Sequence, residues 1–167
     1  MADAPELPEA KDPFEKRVAI SIAIFAVALS YISMKGDNAK TDAIINTNES
    51  SNQYAFYQAK SLKEHMAENE ADTLKYLATS PEAARRRDEL LAEATRYKKE
   101  KEDIKKAAEN YRAAANKGGD MNDRCDFAGL FLQIAIVIAS VAILSRQHLL
   151  WFASLGLAAF GAVKFFF

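Results

Sequence analysis

The side chains with the greatest potential for chemistry in this chain are two histidines and one cysteine. A histidine beside carboxylates can act as a general base or help to bind a metal, and His65 has Glu64 and Glu68 as sequence neighbours. A solvent-facing histidine on a charged helix explains the same cluster and is far commoner. No HExxH, CxxC, phosphate-binding glycine-rich loop or nucleophile elbow occurs. The sequence therefore predicts a protein that is not an enzyme, with no catalytic, cofactor-binding or metal-binding residue and no cofactor.

The remaining reactive side chains have structural explanations. A single cysteine, Cys125, excludes an intramolecular disulfide and an all-thiolate metal site. It lies where an apolar run begins, which favours a small buried residue at an interface. His148 ends the polar segment 145–148 between two apolar runs, which is typical of an interfacial turn. A net charge of −1 gives no electrostatic reason to expect a nucleic-acid partner.

Three apolar runs, at residues 18–34, 127–144 and 149–167, dominate the organisation of the chain, and only Lys164 among their residues is charged. As helices they would be roughly 25–29 Å long, enough to cross a hydrocarbon core of about 30 Å. Such runs form helices in lipid because the backbone must satisfy its own hydrogen bonds there. Residues 28–30 resemble a signal-peptide cleavage site, but they lie inside the first run and follow an acidic tail. We therefore predict a retained span and a lipid bilayer as partner.

The predicted fold class is all-α, with three transmembrane helices and an extramembrane antiparallel helical hairpin between the first and second spans. The predicted segments are an extended tail at 1–13, transmembrane helix 1 at 14–35, the hairpin at 36–124, transmembrane helix 2 at 125–145 and transmembrane helix 3 at 149–167. The hairpin arms are predicted at about 37–79 and 81–117.

Turn signals set these hairpin boundaries. Ser80 can cap a helix through its hydroxyl, and Pro81 fits the first helical turn, where no backbone donor is needed. Ser80 also precedes proline, a position that disfavours a continuing helix, which predicts the hairpin tip at residues 79–81. Residues 35–38 are predicted to end or bend the first span, and the glycine pair 118–119 is predicted to stop the second arm.

Both arms have a seven-residue periodicity, which predicts that one row of side chains faces a partner in a left-handed coiled coil. On the first arm the row is Ile45, Asn48, Asn52, Ala55, Ala59, Leu62, Met66, Asn69, Thr73 and Tyr76. On the second arm it is Leu90, Ala94, Tyr97, Lys101, Ile104, Ala108, Tyr111 and Ala115. Alanine, asparagine and lysine in these rows bury little apolar surface, so an isolated hairpin would be only marginally stable. We expect hairpins to pack against each other in a homo-oligomer; the alternative is a hydrated row.

Gln133 is the polar residue of greatest interest within the apolar runs. Its amide can hydrogen-bond across helices or line a pore, and the sequence favours the first role. Small residues four positions apart allow helices to approach closely. These are Ala19 and Ala23 in the first run, and Ser154, Ala158 and Ala162 in the third.

Two stretches carry a resemblance to a known family. KRVAISIA from residue 16 and NQYAFYQAKS from residue 52 resemble a bacterial family of small three-span proteins catalogued as domain of unknown function 4337. The resemblance implies a bacterial membrane protein and brings no activity with it. Within the second stretch, Tyr54, Phe56 and Tyr57 cannot all face one row of a helix. At least one of them is predicted to lie on a second contact surface.

The leading functional hypothesis is a self-associating, non-enzymatic membrane protein whose hairpin is an assembly or docking module. Two alternatives are an oligomeric pore with Gln133 facing its lumen, and an accessory subunit of a larger membrane complex. We expect the bacterial inner membrane, with an external hairpin and with the N-terminus and the 145–148 turn on the cytoplasmic side. Lys11, Lys16, Arg17 and Arg146 mark that side.

Overall fold

A computed structural model of the chain describes residues 12–77 and 80–166, and all of its elements are helices. Helix α1 is Pro13–Leu77, α2 is Pro81–Ser145 and α3 is His148–Phe166. The predicted all-α class is therefore confirmed. Each of the three helices is long and apolar enough, by length and composition, to cross a membrane. The tail predicted at 1–13 lies almost wholly outside the described residues, as do the tip residues 78–79.

Local capping explains where the helices begin and end. Asp12 accepts a hydrogen bond from the Phe14 amide at 2.9 Å and so caps α1. The Ser80 hydroxyl accepts a hydrogen bond from the Ala83 amide at 3.2 Å, which confirms its predicted capping of α2. At the other end of α2, Arg146 has a φ of 56° and its amide bonds to the Ile143 carbonyl oxygen at 3.3 Å. This left-handed residue ends α2 and allows α3 to begin two residues later.

The predicted helix ends at residues 35–38 and 118–119 are wrong, because α1 and α2 run unbroken through them. A bend of α1 at residues 35–38 stays a prediction. Gly36 has a packing role instead of a terminating one: a Cβ added there would lie 2.9 Å from the Cβ of Cys125. Glycine within a helix costs only about 1 kcal/mol relative to alanine. The burial of a continuous row of side chains on each helix exceeds such a cost.

The chain divides into two compact units: residues 42–118, which form the hairpin, and residues 12–41 with 119–166, which form a three-helix unit. In the three-helix unit, α2 contributes a row of buried side chains spaced three and four residues apart. This row is Cys125, Ala128, Leu132, Ala135, Ala139 and Ala142. Alanine at so many of these positions lets neighbouring helices approach closely.

The predicted small-residue rows have different outcomes in α1 and α3. Ser154 and Ala158 are buried, as predicted for close packing, and the nearby Gly161 approaches α2. A Cβ added at Gly161 would lie 3.1 Å from the Ala128 carbonyl oxygen. Ala162, Ala19 and Ala23 are exposed and so do not pack within this unit, and their role in close helix approach stays a prediction. Larger side chains supply the buried face of α1: Phe14, Val18, Phe25 and Ile32.

Candidate functional site

The hairpin buries one row of side chains from each arm, and we call these two rows the inner seam. On the second arm the predicted row is confirmed: all of its members are buried or half-buried except Tyr111, which is 37% exposed. On the first arm the inner seam lies elsewhere. It consists of Ala43, Asn46, Ser50, Gln53, Tyr57, Lys60, Glu64, Ala67, Ala71 and Leu74.

The row predicted for the first arm is therefore wrong as the buried face of the hairpin, because every one of its ten residues is exposed. It is offset from the inner seam by two positions, which corresponds to about 200° around a helix. The two rows thus lie on nearly opposite faces of α1. The inner seam was missed because its central residues, Lys60 and Glu64, have the character of surface residues. The sequence does offer one signal for the first-arm row, which is Lys101 in the predicted row of the second arm. A buried lysine needs an acidic partner, and that partner must lie on the first arm.

Two ion pairs occupy the middle of the inner seam. Lys60 pairs with Glu100, and Lys101 pairs with Glu64. The second pair is the more enclosed, with side chains 14% exposed for Lys101 and 5% for Glu64. The Glu64 carboxylate accepts a hydrogen bond from the Lys101 ammonium, and this interaction, opposed by desolvation, raises the pKa of Lys101. The hydrogen bond from Lys60 lowers the pKa of Glu100.

Further polar contacts fix the register of the hairpin. The buried Ser50 hydroxyl donates a hydrogen bond to the Ala108 carbonyl oxygen at 2.9 Å. Nearer the tip, the Arg86 guanidinium lies 3.7 Å from the Glu70 carboxylate. Because an added or removed residue would separate these partners, they specify one antiparallel alignment of the arms. This function is structural and requires no ligand.

The structure separates the members of the histidine–glutamate cluster at residues 64–68. His65 is 64% exposed at its side chain and lies 3.3 Å from Glu68, whereas Glu64 pairs with Lys101. A histidine–carboxylate site that uses both glutamates is therefore not formed. A cavity of about 160 Å³ lies between the arms beside Ser50 and Arg112, but the Ser50 hydroxyl is committed to a backbone carbonyl. Among the described residues, no cluster of three His, Cys, Asp or Glu side chains could hold a metal ion.

The outward faces of the two arms differ in charge. We call the exposed row of α1 the outer stripe: Ile45, Asn48, Asn52, Ala55, Ala59, Leu62, Met66, Asn69, Thr73 and Tyr76. None of its members is charged. The corresponding row of α2, two positions from its inner seam, is the outer charged face: Ala92, Arg96, Lys99, Asp103, Lys106, Asn110, Ala113 and Lys117. Every one of these residues is exposed, and most carry a charge.

The aromatic cluster follows this division of faces. Tyr54 and Tyr57 are half-buried towards the second arm, whereas Phe56 is 59% exposed beside the outer stripe. The prediction that the three rings do not share one row is confirmed. That Phe56 contacts a partner stays a prediction.

In the three-helix unit, some polar side chains find a hydrogen-bond partner within their own chain and others do not. The Trp151 indole donates to the Ser21 hydroxyl at 3.2 Å, and the Ser140 hydroxyl donates to the Ile136 carbonyl oxygen at 2.8 Å. His148 stacks on Phe14, with ring centroids 4.1 Å apart. Gln133 is exposed, and its amide forms no hydrogen bond with another helix among the described residues.

Comparison with known proteins gives one match. The family described as Domain of unknown function (DUF4337) matches residues 14–167. No curated protein and no solved structure matches the chain.

Proposed function

The chain belongs to the DUF4337 family, and we propose that it is a non-enzymatic integral membrane protein that self-associates. In this proposal the helical hairpin is the assembly or docking module. The three apolar runs are transmembrane helices, and the hairpin lies outside the bilayer between the first and second spans. The family description assigns no activity, so the proposal depends on the chemistry of the exposed surfaces.

Large apolar side chains on the surface of the three-helix unit support membrane insertion. The most exposed examples are Val27 at 72%, Val137 at 62%, Leu144 at 88%, Leu149 at 77% and Phe166 at 73%. Proteins dissolved in water rarely expose contiguous apolar surface on this scale, whereas lipid tails solvate it favourably. We place the protein in the inner membrane of a bacterium, with a cytoplasmic N-terminus and an external hairpin.

The single observation that carries self-association is the environment of Gln133. Its amide lies within an apolar run and is exposed on the surface of one chain. Lipid supplies no hydrogen-bond partner, so an amide at membrane depth needs one from another protein surface or from a water-filled lumen. A second copy of the chain provides such a partner directly.

The mass of the full chain reconstituted in lipid nanodiscs tests this proposal. We expect an assembly of more than one copy for the wild type. Because interhelical amide bonds contribute about 0.6–2 kcal/mol, Gln133→Leu should weaken that assembly modestly. Ser140→Ala is the matched control, because that hydroxyl bonds within its own helix. A wild type that is monomeric at every protein-to-lipid ratio would contradict self-association.

An oligomeric pore is the second candidate, favoured by the same exposed amide. If Gln133 lines a lumen, Gln133→Leu should leave the assembled mass intact and abolish or reshape ion flux into vesicles. The self-association proposal predicts no flux from either protein. An accessory role in a larger complex would instead appear as a larger membrane protein that co-purifies stoichiometrically.

A further inference from the structure

We infer that the outer stripe of α1 binds a second copy of this chain, and that the two first arms pair in parallel and in register. This inference rests on the proposed self-association and names the surface that mediates it. The partner is a second copy because the stripe is compatible with itself in charge and chain direction.

The first argument is that α1 carries two rows of seven-residue periodicity on nearly opposite faces. The inner seam is filled by the second arm, and no described residue covers the outer stripe. Leu62 and Met66 are each 62% exposed, Tyr76 is 77% exposed and Ile45 is 52% exposed. Two such rows are expected of a helix that lies between two helical partners, because each row keeps one neighbour in contact along its length.

Charge is the second argument, since an uncharged stripe meets its own copy without repulsion. In a parallel pair, each residue that flanks the stripe on one side faces the residue five positions later on the other copy. These flanking pairs are Ile44 with Glu49, Ser51 with Phe56, Gln58 with Lys63, and His65 with Glu70. No pair places like charges together. The outer charged face of α2 lacks this complementarity, because Arg96, Lys99, Lys106 and Lys117 dominate it.

Chain direction and residue type define the pairing. Copies inserted in one membrane with the same topology present their first arms in the same direction, so the contact is parallel. The spacing from Ile45 to Asn48 places Ile45 and Asn52 at the first core position of their heptads, and Leu62 at the second core position. A buried asparagine at the first position favours one register.

Membrane anchoring explains why so thin a stripe suffices. Alanine and asparagine bury little apolar area, so the stripe alone would hold two soluble helices together only weakly. Two anchored copies meet at a high effective concentration, which turns a weak contact into a populated pair. The pairing is therefore reversible and depends on protein density in the bilayer.

Site-directed disulfide formation tests this pairing with matched variants. On a Cys125→Ala background, Ala55→Cys and Ala59→Cys lie on the outer stripe, while Ala92→Cys and Ala113→Cys lie on the outer charged face. All four replace an exposed alanine on the hairpin. A disulfide needs Cα atoms within about 7 Å, so a covalent dimer reports direct contact. The full chain is oxidised mildly in native membranes, and the assembled mass of the same background without added cysteine is measured in parallel.

We expect covalent dimers from Ala55→Cys and Ala59→Cys, with at least tenfold less from Ala92→Cys and Ala113→Cys. Equal cross-linking of all four variants, or cross-linking only on the second arm, would overturn the inference. A multimeric background protein without first-arm cross-links would overturn this interface and leave self-association standing. A background protein that is monomeric would overturn both.

Discussion

The two arms of the hairpin share one interface and differ on the opposite side. Towards each other they present a mixed row, in which alanine and leucine flank the ion pairs Lys60–Glu100 and Glu64–Lys101. On its outward side the first arm has an uncharged stripe with exposed Ile45, whereas the second arm has a face rich in lysine and arginine. Two charged side chains of the first arm, Lys60 and Glu64, therefore lie inside the hairpin, although such residues usually mark a surface. When the interface between two helices consists mainly of small and polar side chains, polarity alone does not distinguish the buried face from the exposed face.

The largest expected effect is a loss of folding stability when a charge is introduced into the inner seam, compared with the same change on the outer stripe. Ile104→Asp would place an unpaired carboxylate in the inner seam and should lower the free energy of unfolding by about 3–5 kcal/mol. Ile45→Asp, on the outer stripe, should leave that free energy nearly unchanged and reduce the assembled mass. Thermal unfolding followed by circular dichroism, together with mass in nanodiscs, measures both. If Ile45→Asp unfolds the hairpin as strongly as Ile104→Asp, the two faces of α1 are not distinct.

The residues of the two arms also show which parts of the fold can be predicted from the sequence. The helices and the second-arm row could be predicted because Leu90, Ile104 and Ala108 recur at heptad spacing on one face. The first-arm row could not, because Ile45, Leu62 and Met66 have core character yet lie on the outside. Gly36 was interpreted as a break because only the position of Cys125 reveals why a helix needs a glycine there.

A second prediction compares two adjacent leucines on the second arm. Leu90 is 2% exposed against Ala67, Ala71 and Ala94, whereas Leu91 is 46% exposed. Leu90→Ala should lower the free energy of unfolding by about 2–4 kcal/mol, because it leaves a cavity among small residues that cannot close it. The matched change Leu91→Ala should cost about 0.5 kcal/mol or less. Equal effects at the two positions would mean that the arms are rotated from the inner seam described above.

A smaller effect concerns the pH dependence of the inner seam. The pKa of Lys101 is raised above its ordinary value of 10.5 by Glu64, so its stabilisation is complete below that pH and is lost as pH rises through the folded value. The pKa of Glu100 is lowered below 4.5 by Lys60, so its stabilisation is complete above that pH and is lost as pH falls through the folded value.

The thermal midpoint of the full chain in detergent should therefore be flat near neutral pH and fall at both extremes. In the variant Glu64→Gln with Lys101→Met, the alkaline decline should become shallower while the acidic decline persists. An alkaline decline of unchanged size in this variant would show that the enclosed pair does not contribute to hairpin stability.

The central claim is that first arms meet while second arms stay apart, and distances between spin labels on neighbouring copies test it most directly. Gln58→Cys lies at the edge of the outer stripe and Asn110→Cys on the outer charged face, each on a Cys125→Ala background in liposomes at a protein density that gives multimeric mass. Paired helices have axes about 8–10 Å apart. We predict a narrow, short distance for the label at residue 58 and no defined short distance at residue 110. A short distance at residue 110, or none at residue 58 in a protein of multimeric mass, would contradict the account.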